Sequence, residues 1–173
     1  MAVMTLSSRH ARAIGYKAQM SEAGVWLALG RSVSSWEDEL TPPVPDLFAT
    51  DIDEILGFKA VDNITFVRPN PGGHIFYLGD YYEPISDSQA GLDLSTLLYV
   101  RFVIPVNFMV GTYRQVGIYR GLIPDIPVGD GPPYSLLSPQ QILSRGSLDI
   151  YDNFSPTTRN NHQQDEYSFM LQF

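Results

Sequence analysis

The chain contains no cysteine, which excludes disulfides, zinc–thiolate sites and thiol nucleophiles. Cysteine-free chains occur in every compartment, so the redox environment stays open. Charge is sparse as well. Only 17% of residues are charged, and the eleven Lys and Arg are scattered without a run against nineteen Asp and Glu. A net charge of -8 with no basic patch argues against a surface that tracks phosphates, so nucleic acid is not an expected partner. Long hydrophobic runs are missing too. The opening "MAVMTLSSRHARAIGYK" has no apolar core of signal-peptide length, and no stretch approaches the ~18 apolar residues of a spanning helix. A soluble chain made in the cytoplasm, without membrane insertion, is expected.

Catalytic motifs are equally scarce. The three histidines, His10, His74 and His162, are isolated from one another and lie in segments that read as loop or chain end. The nucleophile-elbow pattern G-x-S-x-G and the phosphate-cradling G-x-x-x-x-G-K are both absent. "DIDE" at 51–54 places acids at alternate positions as a calcium loop does, but the loop's central Gly and twelfth-position Glu are missing. Acids at a helix N-terminus account for it better. No catalytic, metal-binding or cofactor-binding residue is assigned, no cofactor is expected, and the chain does not read as an enzyme.

What is present is a foldable composition, 44% hydrophobic over 173 residues, with thirteen prolines, fourteen glycines and ten tyrosines. The reading is a mainly β (α+β) protein, β-sandwich-like or built on antiparallel sheet, with two or three short helices and long Pro-rich loops. Residues 1–23 form an N-terminal helical segment or arm, with Ala11, Ile14 and Ala18 as the apolar stripe of a short helix behind Ser7 or Ser8. Residues 24–173 form a single β-rich domain.

Within that domain, "VWLALGR" reads as a strand covered on both faces. "ATDIDEILGFK" has the capping pattern of a short helix, with Asp51 as cap, Glu54 three residues on and Gly57 as its end. "NITFVRP" and "IFYLGDYYEPI" read as a hairpin or meander over 63–85, turning at "NPGGH" through positive φ at Gly72 and Gly73. "LLYVRFVIP" and "TYRQVGIYR" read as strands paired through the loop that holds Asn107 and Gly111. In the first of these, Arg101 calls for an intrachain acid. A Pro- and Gly-rich loop spans 121–137. "SPQQILSRG" has the cap (Ser138), N1 proline (Pro139), Gln141 and terminal glycine (Gly146) of a one- to two-turn helix. "EYSFMLQF" alternates as a closing strand.

One stretch does not fit an ordinary domain. After Gly30-Arg31 the chain runs into "SVSSWEDELTPPVPD", a Trp, three acids and a stiff proline cluster. A Trp next to Pro-Pro-x-Pro loses little entropy on docking, which is what an interface arm requires. The predicted docking arm is 32–49. Trp36, Pro42, Pro43 and Pro45 are its anchors, with Arg31, Glu37, Asp38 and Glu39 setting register by charge. A second candidate surface is "TYRQVGIYR", where Arg114 and Arg120 share a strand face with Val116 and Ile118. Such charges either snorkel from an edge or pair with acids on a partner.

The order of these motifs carries a resemblance. "GR" at 30–31, "WEDE" at 36–39, "PPVPD" at 42–46, "DIDEILGFK" at 51–59, "VDNITFVRP" at 61–69 and "GTYRQVGIY" at 111–119 follow one another. The ending "GSLDIYDNFSPTTRNNHQQDEYSFMLQF" adds a "YDN" turn, a "TR" and an alternating strand. Together they resemble baseplate wedge subunits and related tail proteins of contractile-tailed bacteriophages, over most of 24–173. The resemblance implies a virion tail protein, made in the host cytoplasm, that assembles with other baseplate or tail proteins, several copies to a symmetric assembly. Two other roles stay open: a receptor- or glycan-binding tail protein, in which exposed aromatics contact sugar, and a neck or tail connector.

Overall fold

The computed structural model describes residues 3–19, 24–31, 36, 41–125 and 135–173. In chain order its elements are α1 (Leu6–Ala18), β1 (Val25–Gly30), β2 (Ile55–Ala60), β3 (Asn63–Pro69), β4 (Ile75–Tyr77), β5 (Asp80–Ile85), α2 (Asp87–Asp93), β6 (Leu97–Ile104), β7 (Gly111–Arg120), β8 (Ile123–Pro124), β9 (Leu136–Leu137), β10 (Ile142–Ser144), β11 (Ser147–Arg159) and β12 (Asp165–Gln172). The protein is mostly β, with antiparallel pairing and two α-helices among the described residues. Two compact units divide the chain. One comprises Met1–Glu22, Asp62–Arg101 and Tyr167–Phe173, the other Ala23–Val61 and Phe102–Glu166.

In the first unit the sheet order is β12-β6-β3-β5-β4. Strict alternation puts Leu98 and Val100 of β6 and Ile64 and Phe66 of β3 in the core. Helix α1 is real, but its buried face is His10, Ala13 and Tyr16, and Ile14 of the expected stripe is half exposed. On that face His10 Nδ1 lies 2.6 Å from the Ser95 carbonyl while its ring packs on Phe66, and the Tyr16 ring packs on Phe173. The cap is Thr5, ahead of the serines, and accepts from the Ser8 N–H.

The region 63–85 is not a meander. β5 lies between β3 and β4, and the hairpin is β4–β5, closed by Leu78-Gly79. Both turn residues have positive φ, 48° and 97°, as a type I′ turn needs. Gly73 serves a different purpose from the positive φ expected of it. A Cβ there would sit 2.2 Å from the Tyr82 carbonyl oxygen, so only glycine lets the loop pass under β5. Helix α2 escaped the sequence because seven residues with one buried side chain, Ala90, carry no readable period.

The second unit is built on the sheet β11-β7-β1-β2-β9. β1 is buried at all six positions, as its two-sided apolar pattern predicts. Trp26, Ala28, Ile52, Phe58, Tyr119, Leu122 and Leu137 form one cluster, with Phe58 edge-on to Tyr119. The helix expected at 51–57 is instead a bend followed by β2. Glu54 sits at φ 42°, which a right-handed helix cannot accept, and Gly57 and Phe58 pair with Leu29 and Ala28 of β1. Two turns of helix have little stability of their own, and the sheet overrides the capping pattern.

β6 and β7 do not pair. β6 lies in the sheet with β3, whereas β7 lies between β1 and β11. Pro105 lacks a ladder donor and the six-residue connection 105–110 is too long for a tight hairpin. Buried Phe108 anchors that connection. The "SPQQ" cap is present, with the Ser138 N–H donating to Gln141 Oε1. It starts only one 3-10 turn (Pro139–Gln141), because Ile142–Ser144 then pairs with β8. The "YDN" segment at 151–153 is not a turn: it lies inside the 13-residue β11, where the register shifts between Asn153 and Thr157. In the expected loop 121–137, residues 123–124 and 136–137 are strands, and 126–134 lie outside the described residues.

Arg101 is half-buried, and the arginine that the second unit fully buries is Arg159. Its guanidinium makes six hydrogen bonds: to Asp165 Oδ2 and to the carbonyls of Ile104, Pro105, Phe108, Met109 and Gln163. A planar fork with five N–H donors is what holds this set of carbonyls, so the connection 105–110 and the 160–165 turn are fixed through one side chain.

Two outcomes are expected. Arg159→Met leaves Asp165 and the carbonyls without their donor and lowers unfolding stability in urea by about 3–5 kcal/mol, whereas Arg159→Lys recovers only a small part of it. Leu78→Asn puts a residue that tolerates the left-handed region where leucine is held at positive φ, and raises stability by about 1 kcal/mol in the same assay.

Candidate interface site

Of the candidate interface residues, Arg31 and Trp36 of the arm and Arg114 of the second surface come together. Leaving β1, Arg31 donates its N–H to the Glu54 carbonyl (3.2 Å), and its own carbonyl accepts from Arg114 Nε at 3.0 Å. The same guanidinium lies over the Trp36 ring, 4.3 Å from its centroid. An arginine whose fork is fixed by a carbonyl offers its flat face to an indole, a cation–π contact of about 0.5–2 kcal/mol. The arm's tryptophan is therefore seated against Arg114 of the chain's own strand β7. Trp36 is half-buried there and Arg31 is exposed.

The proline section is fastened too. The Pro43 carbonyl accepts from Asn153 Nδ2 at 2.9 Å, Asn153 Oδ1 accepts from Gln115 Nε2 at 2.9 Å, and Gln115 Oε1 accepts from the Asp53 N–H at 3.1 Å. This line of amides ties both ends of segment 43–53 to β7 and β11. Between those ends the Tyr151 hydroxyl accepts from the Asp46 N–H. Asp46 in turn accepts from the Phe48 N–H at 2.9 Å, closing an Asx turn. Pro42 and Pro45 are half-buried and Pro43 is exposed.

The far end of the segment is held by Tyr119 on β7. Its hydroxyl donates to Asp51 and accepts from the Ile52 N–H at 3.0 Å, and Arg145 closes on the other Asp51 oxygen. Burial, and then the hydrogen bond to the Asp51 carboxylate, push the Tyr119 phenol well above its ordinary range. Arg120 lies at the opposite end of β7 from Arg114 and makes a two-pronged pair with Asp149, at 3.0 and 3.1 Å. It is engaged within the chain and stands apart from the Trp36 cluster. Glu37, Asp38 and Glu39 lie outside the described residues.

Sequence reasoning missed Asp51, Gln115, Tyr119, Arg145, Tyr151 and Asn153 as the residues that hold the arm. The capping pattern around Asp51 drew attention to the right carboxylate and gave it the wrong partner. The other five lie far from the arm in sequence: the β7–β11 register brings Gln115, Tyr119, Tyr151 and Asn153 under it, and Arg145 comes from just before β11.

Among the described residues no group of three or more His, Asp or Glu is placed to hold a metal ion, and no helix is long and apolar enough to cross a membrane. The family model described as "Baseplate wedge 3 tail fiber network component" matches residues 1–173. The chain is also similar to "Virion protein 3" of Enterococcus phage phiEF24C, 26% identical over 160 residues that cover 88% of this chain and 84% of that protein.

Tyr119→Phe removes one of the two acceptors of the Ile52 N–H, leaving Asp51 Oδ1, and the donor to Asp51, at an expected cost of about 1–3 kcal/mol at neutral pH. Because the folded-state pKa is raised, the hydroxyl's contribution is fully present below about pH 10, the unfolded value, and is lost as pH rises toward the folded one. Urea unfolding of the two proteins between pH 7 and 11 should show the gap narrowing above about pH 10.

Proposed function

The chain belongs to the baseplate wedge 3 tail fiber network component family, and from that membership we propose that it is a wedge-type structural subunit of a contractile-tail baseplate. It works by binding neighbouring tail proteins and catalyses no reaction. The family match and the virion-protein relative support a structural component of the phage tail. The observation that supports the finer reading is the arm. Trp36 lies under Arg114, and segment 43–53, with both ends tied to β7 and β11, is held before any partner arrives. Pre-ordering of this kind lowers the entropy cost of association, which suits a subunit whose work is to make specific contacts.

In this reading residues 31–54 form the joint with a neighbouring virion protein. Arg31, Trp36 and Arg114 set the arm's angle, the Pro42-Pro43-Val44-Pro45 section keeps it straight, and Glu37, Asp38 and Glu39 contribute charge. Arg120 contributes through β7 and β11 by its pair with Asp149. The subunit is made in the host cytoplasm and carried into the virion tail in several copies.

Immunogold electron microscopy of source-phage particles should place an antibody to this protein at the tail end. Label at the neck, or none, would sink the baseplate assignment. Trp36→Ala with Pro42→Ala should leave the chain folded and reduce its incorporation into particles. Unchanged incorporation would remove the arm from the account.

A further inference from the structure

Residues 43–53 are tied down at 43, 46, 51, 52 and 53, and yet the apolar side chains between those ties point away from the protein. Val44 is 89% exposed, Leu47 96% and Phe48 89%. Three large apolar residues on one short segment, nearly as exposed as in an unfolded chain, are held out by hydrogen bonds to the backbone beside them. Nothing in their immediate packing explains why a folded protein keeps them there.

Charge around the segment narrows what can cover them. Residues 46–54, "DLFATDIDE", hold four acids and no cation. Arg145 pairs with Asp51, whereas Asp46 and Glu54 are exposed and have no cation partner among the described residues. Two copies meeting through this segment would bring like charges together. Three side chains also fall short of the roughly 800 Å² per partner that a stable face-to-face dimer buries. A protruding apolar turn with an acidic surround calls for a concave partner.

We propose that the Leu47-Phe48 turn, with Val44 beside it, is a preformed plug that seats in an apolar socket rimmed by Lys or Arg on a different virion protein. The proposal rests on the reading of the chain as a baseplate subunit and adds the contact face and the chemistry of its partner. It also divides the labour within the arm: Trp36 faces inward and fixes the arm to β7, while Leu47 and Phe48 face outward and bind.

The test replaces Phe48 with p-benzoylphenylalanine (Phe48→p-benzoylphenylalanine) in the full chain, assembles phage in a host that supplies this version, and irradiates purified particles. The expected adduct joins position 48 to another virion protein, at an apolar residue with Lys or Arg adjacent. Leu47→Ser with Phe48→Ser should leave the melting temperature of the isolated chain unchanged and lower its content in particles about thirtyfold, the factor that a hot-spot contact carries. An adduct between two copies of this chain, no adduct in particles that contain it, or unchanged incorporation of the double variant would each overturn the plug. Absence of the protein from the particle altogether would sink the baseplate reading, and the plug with it.

Discussion

A single hydroxyl sets the geometry of the candidate interface. Tyr119 stands in β7 at the heart of the second unit, edge-on to Phe58, and its oxygen meets Asp51 and the Ile52 N–H where the arm gives way to β2. Were that oxygen absent, the Ile52 N–H would lose an acceptor in a buried place and Asp51 would keep only Arg145 as a side-chain partner. Because it is present, the chain bends at 51–54, Glu54 takes a positive φ, and Ile55–Ala60 enters the sheet beside β1. The strand pairing that follows depends on where this bend is placed.

From the bend the fastening spreads by short-range contacts. Gln115, four residues before Tyr119, and Asn153 on the paired strand β11 carry amide hydrogen bonds from Asp53 across to Pro43. Tyr151 holds Asp46, and Arg114 covers Trp36. β7 and β11 thus do two jobs: their apolar side chains close the core, and their polar ones lay the arm down. Arg159, at the end of β11, does comparable work for the connection 105–110, replacing backbone partners that a loop cannot supply to itself.

How much of this the sequence made legible follows from how local each signal is. β1, β3, β6, β7 and β12 were readable because period-2 alternation or continuous apolar runs need only neighbouring residues. The class, mainly β with short helices, came from the same signals. The arm was legible as an oddity, and Arg31 and Trp36 were picked out with it and Arg114 apart from it, though nothing in the sequence said that they touch. Asp51 shows the limit. Its capping pattern is a true local preference, overridden by Tyr119 and Arg145 from 68 and 94 residues away. The β6–β7 pairing failed likewise, since adjacency in sequence suggested a hairpin while each strand had a better partner elsewhere. Leu47 and Phe48 fall inside the predicted arm 32–49 without being singled out, because exposure cannot be read from a side chain's identity.

A preformed joint requires the arm to be ordered before it meets a partner. Backbone hydrogen exchange in the isolated full chain tests this directly, at the N–H groups of Asp46, Phe48, Ile52 and Asp53, each bonded to a side chain of the arm or the sheet beneath it. The prediction is protection of Asp46, Ile52 and Asp53 that falls together in Tyr119→Phe, with the Asx-turn bond at Phe48 more weakly protected. Exchange of all four at the rate of an unstructured peptide would contradict the account, since an arm that orders only on binding is not a preformed joint.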